Sequence, residues 1–248
     1  MLKIRIIPIL TFNGLSLVKT KNFNSTRILG NPIQSARVYN SRDVDELVFI
    51  DITASRENRK INLNLVKKVI DECFMPVTIG GGVSSFDDIS NLLKIGADKV
   101  LIKTKALDDK KFIKRAVEYF GSQCISISID AIKDNENYII KDYRKNNKIV
   151  NEFIKEMNEC EVGEYVINSV DKDGCMSGFD IELYEQCKKL TQKPIIAVGG
   201  AGVPEDFIKL INSKFYGALG ASSIFHFTQF TPYDVKTSMK ENNISVRV

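Results

Sequence analysis

One internal echo limits what this chain can fold into more than any other feature. Gly80-Gly81-Gly82 returns as Gly199-Gly200-Ala201, an offset of 199 − 80 = 119 residues. Thr11, just after the first apolar run, is matched at the same offset by Asp130 (130 − 11 = 119), and Asp51 is matched one residue later by Asp171 (171 − 51 = 120). Motifs that recur in register mark a structure built from like units. No Ser/Gly-rich linker lies near residue 120, so the two units are expected to share one core.

Within each unit, short β-branched runs alternate with longer stretches of helical period. The runs Arg5 to Leu10, Glu46 to Asp51, Pro76 to Ile79, Lys99 to Lys103, Ile125 to Asp130, Glu164 to Ser169, Pro194 to Val198 and Tyr216 to Gly220 predict eight strands. Leu65, Val66, Val69, Ile70 and Cys73 share one helical face, as do Ile89, Leu92 and Leu93 behind the capping candidates Ser84 and Ser85. Strand, helix, strand in repetition means a parallel sheet. Half a barrel cannot cover the inner faces of its own strands, so the halves are expected to close into a single (βα)8 TIM barrel, one domain over residues 1–248. Thr20 to Asn31, polar and without period, reads as a mobile loop after strand one. Lys133 to Val150 carries Lys133, Lys141, Arg144, Lys145 and Lys148 around Tyr138-Ile139-Ile140, and reads as a basic hairpin over the mouth or as a solvated excursion.

Several classes of function are set aside by composition. The 35 Lys+Arg against 31 Asp+Glu leave only +4, which gives no reason to expect nucleic acid or an anionic membrane as partner. Ile6 to Leu10 is far too short to span a bilayer and has no signal-peptide layout, so a cytoplasmic protein is expected. Cysteines 73, 124, 160, 175 and 187 are odd in number and never spaced as a C-x-x-C pair, which points to reduced thiols and no zinc framework. No metal or cofactor is expected.

In barrels of this kind, sites gather on the loops that follow the strands. Gly80 to Gly82 and Gly199 to Gly202 each follow a strand and enter a helix, which leaves backbone N–H groups where an anion can approach. Lys103-Thr104-Lys105 and Ala221-Ser222-Ser223 end the strands beside them. Two such turns in register imply a substrate with a phosphate at each end; tight βα turns with no ligand are the alternative. Asp51, Asp130, Asp171 and Asp173 lie at or near strand ends. Asp130 is the best candidate for general acid/base work, or else a helix cap, and its mate Thr11 cannot exchange protons near neutral pH. At the opposite end, Arg5, Glu46, Lys99 and Glu164 open four strands, either as a ring of salt bridges across the barrel floor or as solvated strand starts. His226, between two phenylalanines, reads as structural.

These residues resemble a known family along essentially the whole chain: HisF, the cyclase subunit of imidazole glycerol phosphate synthase. The resemblance is carried by Arg5-Ile6-Ile7, the run Asp45 to Ser55, Gly80-Gly81-Gly82, Gly96 to Val100, Phe120 to Gln123, Asp171-Lys172-Asp173-Gly174 and Gly199 to Gly202. It implies a barrel that forms a heterodimer with a HisH-like glutaminase and receives ammonia from it. That ammonia would pass a gate formed by Arg5, Glu46, Lys99 and Glu164 and reach a bisphosphate at the far mouth, with Asp98 touching the partner. On the same footing, Gly81, Gly82, Lys103, Thr104, Asp173, Gly174, Gly200, Gly202, Ser222 and Ser223 are expected to hold the phosphates. Lys19, Asp51 and Asn168 would hold the rest of the substrate.

Departures from the family pattern narrow the expectation. The resemblance implies two catalytic aspartates, and here Asp130 is kept while Thr11 stands at the other position. Lys103 stands for Asn and Val198 for Ser. Arg5-Ile6-Ile7-Pro8, Val18-Lys19-Thr20 and Glu72 to Pro76 are similar to a HisF paralogue group of surface-polysaccharide clusters, in which the ammonia serves acetamidino-group formation on an amino sugar with a further amidotransferase. The expected function is accordingly an ammonia-channelling HisF-like barrel of that group. The alternatives are the histidine-pathway cyclase and a non-catalytic scaffold that activates the glutaminase.

Overall fold

Near-continuous apolar runs in the predicted strands allow each strand to bury one face inward and one outward, and the chain uses both. The computed structural model describes residues 3–42, 44–145 and 147–247. Strand β1 (Ile6–Phe12) is followed by β2 (Leu17–Lys21), β3 (Ser25–Gly30) and helix α1 (Pro32–Ser41). Next come β4 (Leu47–Asp51), α2 (Leu63–Ile70), β5 (Val77–Gly80), α3 (Phe86–Lys94), β6 (Lys99–Ile102), α4 (Thr104–Asp108) and α5 (Lys110–Phe120). The second half holds β7 (Ile125–Asp134), β8 (Asn137–Ile140), α6 (Val150–Asn158), β9 (Glu164–Ser169), α7 (Ile181–Leu190), β10 (Ile195–Val198), α8 (Pro204–Asn212), β11 (Ala218–Ala221), α9 (Ser223–Phe227) and α10 (Pro232–Glu241).

Eight of these strands run parallel in the order β1, β4, β5, β6, β7, β9, β10, β11, and β11 pairs back onto β1 with Ile6 opposite Leu219 and Ile7 opposite Gly220. That last pairing closes the sheet, so the structure is the expected (βα)8 barrel. Each of the eight predicted strands is present, with ends shifted by a few residues. The predicted domain limits 1–248 include Met1, Leu2, Asp43, Asn146 and Val248, which lie outside the described residues.

Two apolar layers follow from the strand period. Ile7, Ile9, Val48, Leu101, Val166, Ile196, Val198 and Ala218 fill the tube, with Ile50 packed against them. A larger layer, including Phe49, Ile79, Val100, Ile127, Tyr165 and Ala197, packs the outer strand faces against the helices. Helix α2 buries Val66 and Val69, and α3 buries Ile89 and Leu92. Ser85 caps α3 in a reciprocal box with Asp88, as its sequence position suggested, whereas Cys73 lies beyond the end of α2.

One expectation is corrected. Thr20 to Asn31 is no irregular loop: its first residues end β2, which pairs antiparallel with β3 from Leu17 opposite Gly30 to Lys21 opposite Ser25. The turn is made possible by Asn22 and Phe23, both in the left-handed region at φ 50° and 62°. The period was hidden because β3 is an edge strand whose residues are mostly exposed, Ile28 included, so only Leu17 and Val18 of the pair carry a buried apolar signal. The basic segment is a hairpin in its first part. β8 pairs with the far end of β7, Lys133 opposite Tyr138, and buries Tyr138 and Ile140.

Candidate functional site

At the N-terminal end of the barrel the four charged strand starts meet. Lys99 Nζ lies 3.2 Å from a Glu46 carboxylate oxygen and 2.9 Å from one of Glu164. Arg5 pairs with Glu46 through one guanidinium nitrogen and lies 3.7 Å from Glu164 through another. Each cation therefore touches both anions, and the four make a closed ring of alternating sign. Glu46 and Glu164 are buried, while Arg5 and Lys99 remain partly open to solvent below. Ser126, also buried, donates its hydroxyl to Glu164 at 3.1 Å. Asp98, beside the ring, is exposed, and one of its oxygens accepts from the Val77 N–H at 2.8 Å.

At the opposite end the strands open into a cavity of about 300 Å³. Of the residues expected there, Thr11, Lys19, Asp51, Gly81, Gly82, Lys103, Thr104, Asp130, Asn168, Asp173, Gly174, Gly200, Ser222 and Ser223 all line it. Gly202 does not: its N–H donates to Asp206 at 2.9 Å, alongside that of Val203 at 3.2 Å, in the cap of α8. The two glycine turns have the same cause in both halves. Gly81 and Gly200 have φ of 110° and 103°, and a Cβ on them would lie 2.3 Å from the Asp51 carbonyl oxygen and 2.0 Å from that of Gly178. Only glycine fits at either turn. Beside the second turn Ser223 is buried, and its hydroxyl finds no partner among the described residues. A buried hydroxyl in that condition costs about 1–3 kcal/mol unless something bonds to it.

The carboxylates of the mouth are all engaged. Asp51 accepts from the backbone N–H groups of Thr53 and Ala54 at 3.1 Å each, and from Arg59 at 2.7 and 2.9 Å. That hydrogen bond raises the Arg59 guanidinium above its already high ordinary value. Asp173 holds Lys19 at 2.6 Å and the Thr20 hydroxyl at 3.0 Å, so a predicted phosphate contact and a predicted substrate contact are partners of each other, and Asp173 offers the cavity its lysine. Asp130 holds Lys103 at 2.5 Å. Thr11, opposite, donates its hydroxyl to the Val18 carbonyl at 2.5 Å.

The two hairpins roof this space. Thr20, Phe23, Asn24 and Thr26 reach the cavity from β2 and β3, and the Asn22 amide ties the turn to the loop after β9 by donating to the carbonyls of Val170 at 3.1 Å and Asp171 at 2.8 Å. Lys141 and Tyr143 line the cavity from the other side, with the Tyr143 hydroxyl donating to the Ser55 carbonyl at 3.0 Å. Three other basic residues of that segment are engaged within the protein: Lys133 pairs with Glu182, Arg144 with Asp142 and Asp108, and Lys148 with Glu156. Among the described residues no group of three His, Cys, Asp or Glu is placed to hold a metal ion, and no helix is long and apolar enough to cross a membrane.

A closed barrel with a charged ring at one end and paired glycine turns at the other can now be set beside known proteins. The family model described as histidine biosynthesis protein matches residues 5–231. The chain is 41% identical over its full length to the whole of the imidazole glycerol phosphate synthase subunit HisF of Streptococcus mutans. It belongs to the HisF family. Other relatives are the HisF subunit of Clostridium botulinum, 39% identical over 98% of each chain, and a putative imidazole glycerol phosphate synthase subunit hisF2 of Vibrio vulnificus, 39% identical over all of this chain and 92% of that one.

For this HisF-family barrel, sequence reasoning missed three residues. Arg59 locks Asp51, Ser126 braces Glu164, and Tyr143 closes the roof. Ser126 had a signal, since it shares the inward period of β7 with Ser128 and Asp130. Arg59 and Tyr143 sit in loops where no period applies. His226 is half-buried against Tyr39, with ring centroids 6.2 Å apart. Burial, with Lys19 nearby, pushes its imidazole down to about 4.

Proposed function

We propose that this chain is the ammonia-using subunit of a glutamine amidotransferase complex, with a HisH-like glutaminase beneath the charged ring and a phosphorylated substrate in the opposite mouth. One arrangement carries the reading: a ring of two cations and two anions plugs the floor of an apolar tube whose other end opens between two glycine turns. Four charges gathered at one level need close mutual pairing to offset desolvation, so apolar residues would be the simpler plug. A passage that must open for a small neutral molecule and stay closed to water explains why charges stand there. The orphan hydroxyl of Ser223 and the turns at Gly81 and Gly200 suit anions at both ends of a substrate.

The finer proposal concerns the acceptor. Cyclase chemistry by two carboxylates finds Thr11 bonded to Val18 on one side and Asp130 held by Lys103 on the other. Losing a general acid or base commonly costs two to four orders of magnitude in rate, roughly 100-fold at the least. The acceptor favoured here is an amino sugar converted to its acetamidino form for a surface polysaccharide, with a further amidotransferase as third partner and the cytoplasm as location. The rival reading is the histidine-pathway cyclase, which the names of full-length relatives at 39–41% identity favour. The two separate when the purified barrel is given ammonium and the histidine-pathway bisphosphate. Turnover about 100-fold or more below that of the Streptococcus mutans relative supports the amino-sugar reading. Turnover at the relative's own rate makes the chain a cyclase.

A further inference from the structure

Between the two glycine turns, the middle of the mouth holds a lysine and a carboxylate bonded to each other. Lys103 sits at the N-terminus of α4 and makes no capping bond there. Its Nζ instead reaches β7 and the segment after β8, donating to Asp130 Oδ2 at 2.5 Å and to the Lys141 carbonyl at 2.7 Å. Strand register places Asp130 directly beside Asn168 of β9, and all three residues line the cavity.

An ammonium carries three donors and no acceptor. Two of the three on Lys103 are taken by this side of the mouth. Among the described residues none goes to the Gly80–Gly82 turn or to Thr104, where a phosphate ligand would be needed. The pair is neutral as a unit, so it adds little to the attraction of an anion. It leaves open one donor on Lys103 and one acceptor on Asp130, since among the described residues Oδ1 of Asp130 receives no bond. The buried Asn168 Oδ1 also lacks a donor among the described residues. A hydroxyl both donates and accepts, so a hydroxylated carbon satisfies such a set, whereas a methylene group would leave it desolvated and unpaired.

Resting on the reading of the mouth as a site for a ligand with two phosphates, we propose that Lys103 is a specificity-determining residue. With Asp130 it selects a hydroxylated chain between the phosphates, and it is not itself a phosphate ligand. The test uses two open-chain probes of equal backbone length, mannitol 1,6-bisphosphate and 1,6-hexanediol bisphosphate, titrated calorimetrically into the whole protein. The wild type binds the hydroxylated probe at least about tenfold more tightly. Replacing both members, Lys103→Met with Asp130→Leu, keeps the charge of the mouth unchanged, removes that preference and leaves the hexanediol affinity in place. Lys103→Leu with Asp130→Leu repeats the experiment if the first double variant does not fold. Equal binding of both probes by the wild type overturns the proposal, as does an equal loss on both probes in the double variant, which would mean that the pair serves phosphate binding. Should neither probe bind the wild type, the two-phosphate reading itself falls and takes this proposal with it.

Discussion

Ser223 and His226, three residues apart on one short helix, each hold a desolvated polar group, one without a partner and one kept neutral. The Ser223 hydroxyl is buried without a partner, so Ser223→Ala relieves a desolvated group and is expected to leave the protein as stable or about 1 kcal/mol more stable. The same change removes a donor from the second turn, and phosphate should then bind about tenfold more weakly. Thermal unfolding with and without phosphate reads both effects, and a loss of stability without ligand would mean that the hydroxyl already has a partner. His226 works through pH. Its folded value of about 4 lies below the ordinary 6.5, so the unfolded chain takes up the proton first as pH falls. Stability from this group is full above about 6.5 and declines toward 4, with about 2 kcal/mol lost by pH 4.5. Urea unfolding at pH 7 and 4.5 should show a smaller acid loss in His226→Gln than in the wild type, and equal losses would show that the imidazole is not held neutral.

At the scale of elements, the β2–β3 hairpin is tied to the loop after β9 by Lys19 and Thr20 on Asp173 and by Asn22, whose amide donates to two carbonyls of that loop. Asn22→Ala leaves those carbonyls to water and should favour local opening by about 1–3 kcal/mol. Amide hydrogen exchange across residues 17–30 is expected to accelerate at least about tenfold, with the barrel strands unchanged. Unchanged exchange in the hairpin would show that strand pairing and the bonds to Asp173 hold it without the Asn22 amide. The same hairpin marks where sequence reading stops. The eight barrel strands were legible because burial on both faces leaves dense β-branched runs, and two of the helices because a 3.6 period survives in α2 and α3. β3 has one solvated edge and almost no buried side chain, so its pairing leaves no pattern to read. The site was legible where backbone geometry demands a residue type, as at Gly81 and Gly200. It was not where a side chain's partner comes from another loop: Lys19 and Asp173 are 154 positions apart, and their bond is a product of closure.

For the whole molecule, the ring of Arg5, Glu46, Lys99 and Glu164 is the feature on which the proposed passage of ammonia depends. Lys99→Ala leaves Glu46 and Glu164 to share one arginine. Because the ring is partly open to solvent, the expected loss of stability is about 1–3 kcal/mol and the barrel stays folded. Product made from glutamine with the cognate glutaminase should fall severalfold, while product made from added ammonium should hold. Equal losses on both nitrogen sources would reduce the ring to ordinary strand-start salt bridges.

The repeat that built the barrel has a further result for whatever lies in its mouth. The offset of 119 relates Lys103 to Ser222 (222 − 103 = 119) and Asp130 to Thr11 (130 − 11 = 119). One half of the rim thus carries a lysine bonded to a carboxylate, while its mirror position carries two uncharged hydroxyls. A symmetric cup would admit a two-ended guest either way round, with a statistical gain of RT ln 2, about 0.4 kcal/mol. The different hydrogen-bonding groups on the two sides break this tie and give an almost two-fold vessel a heads and a tails.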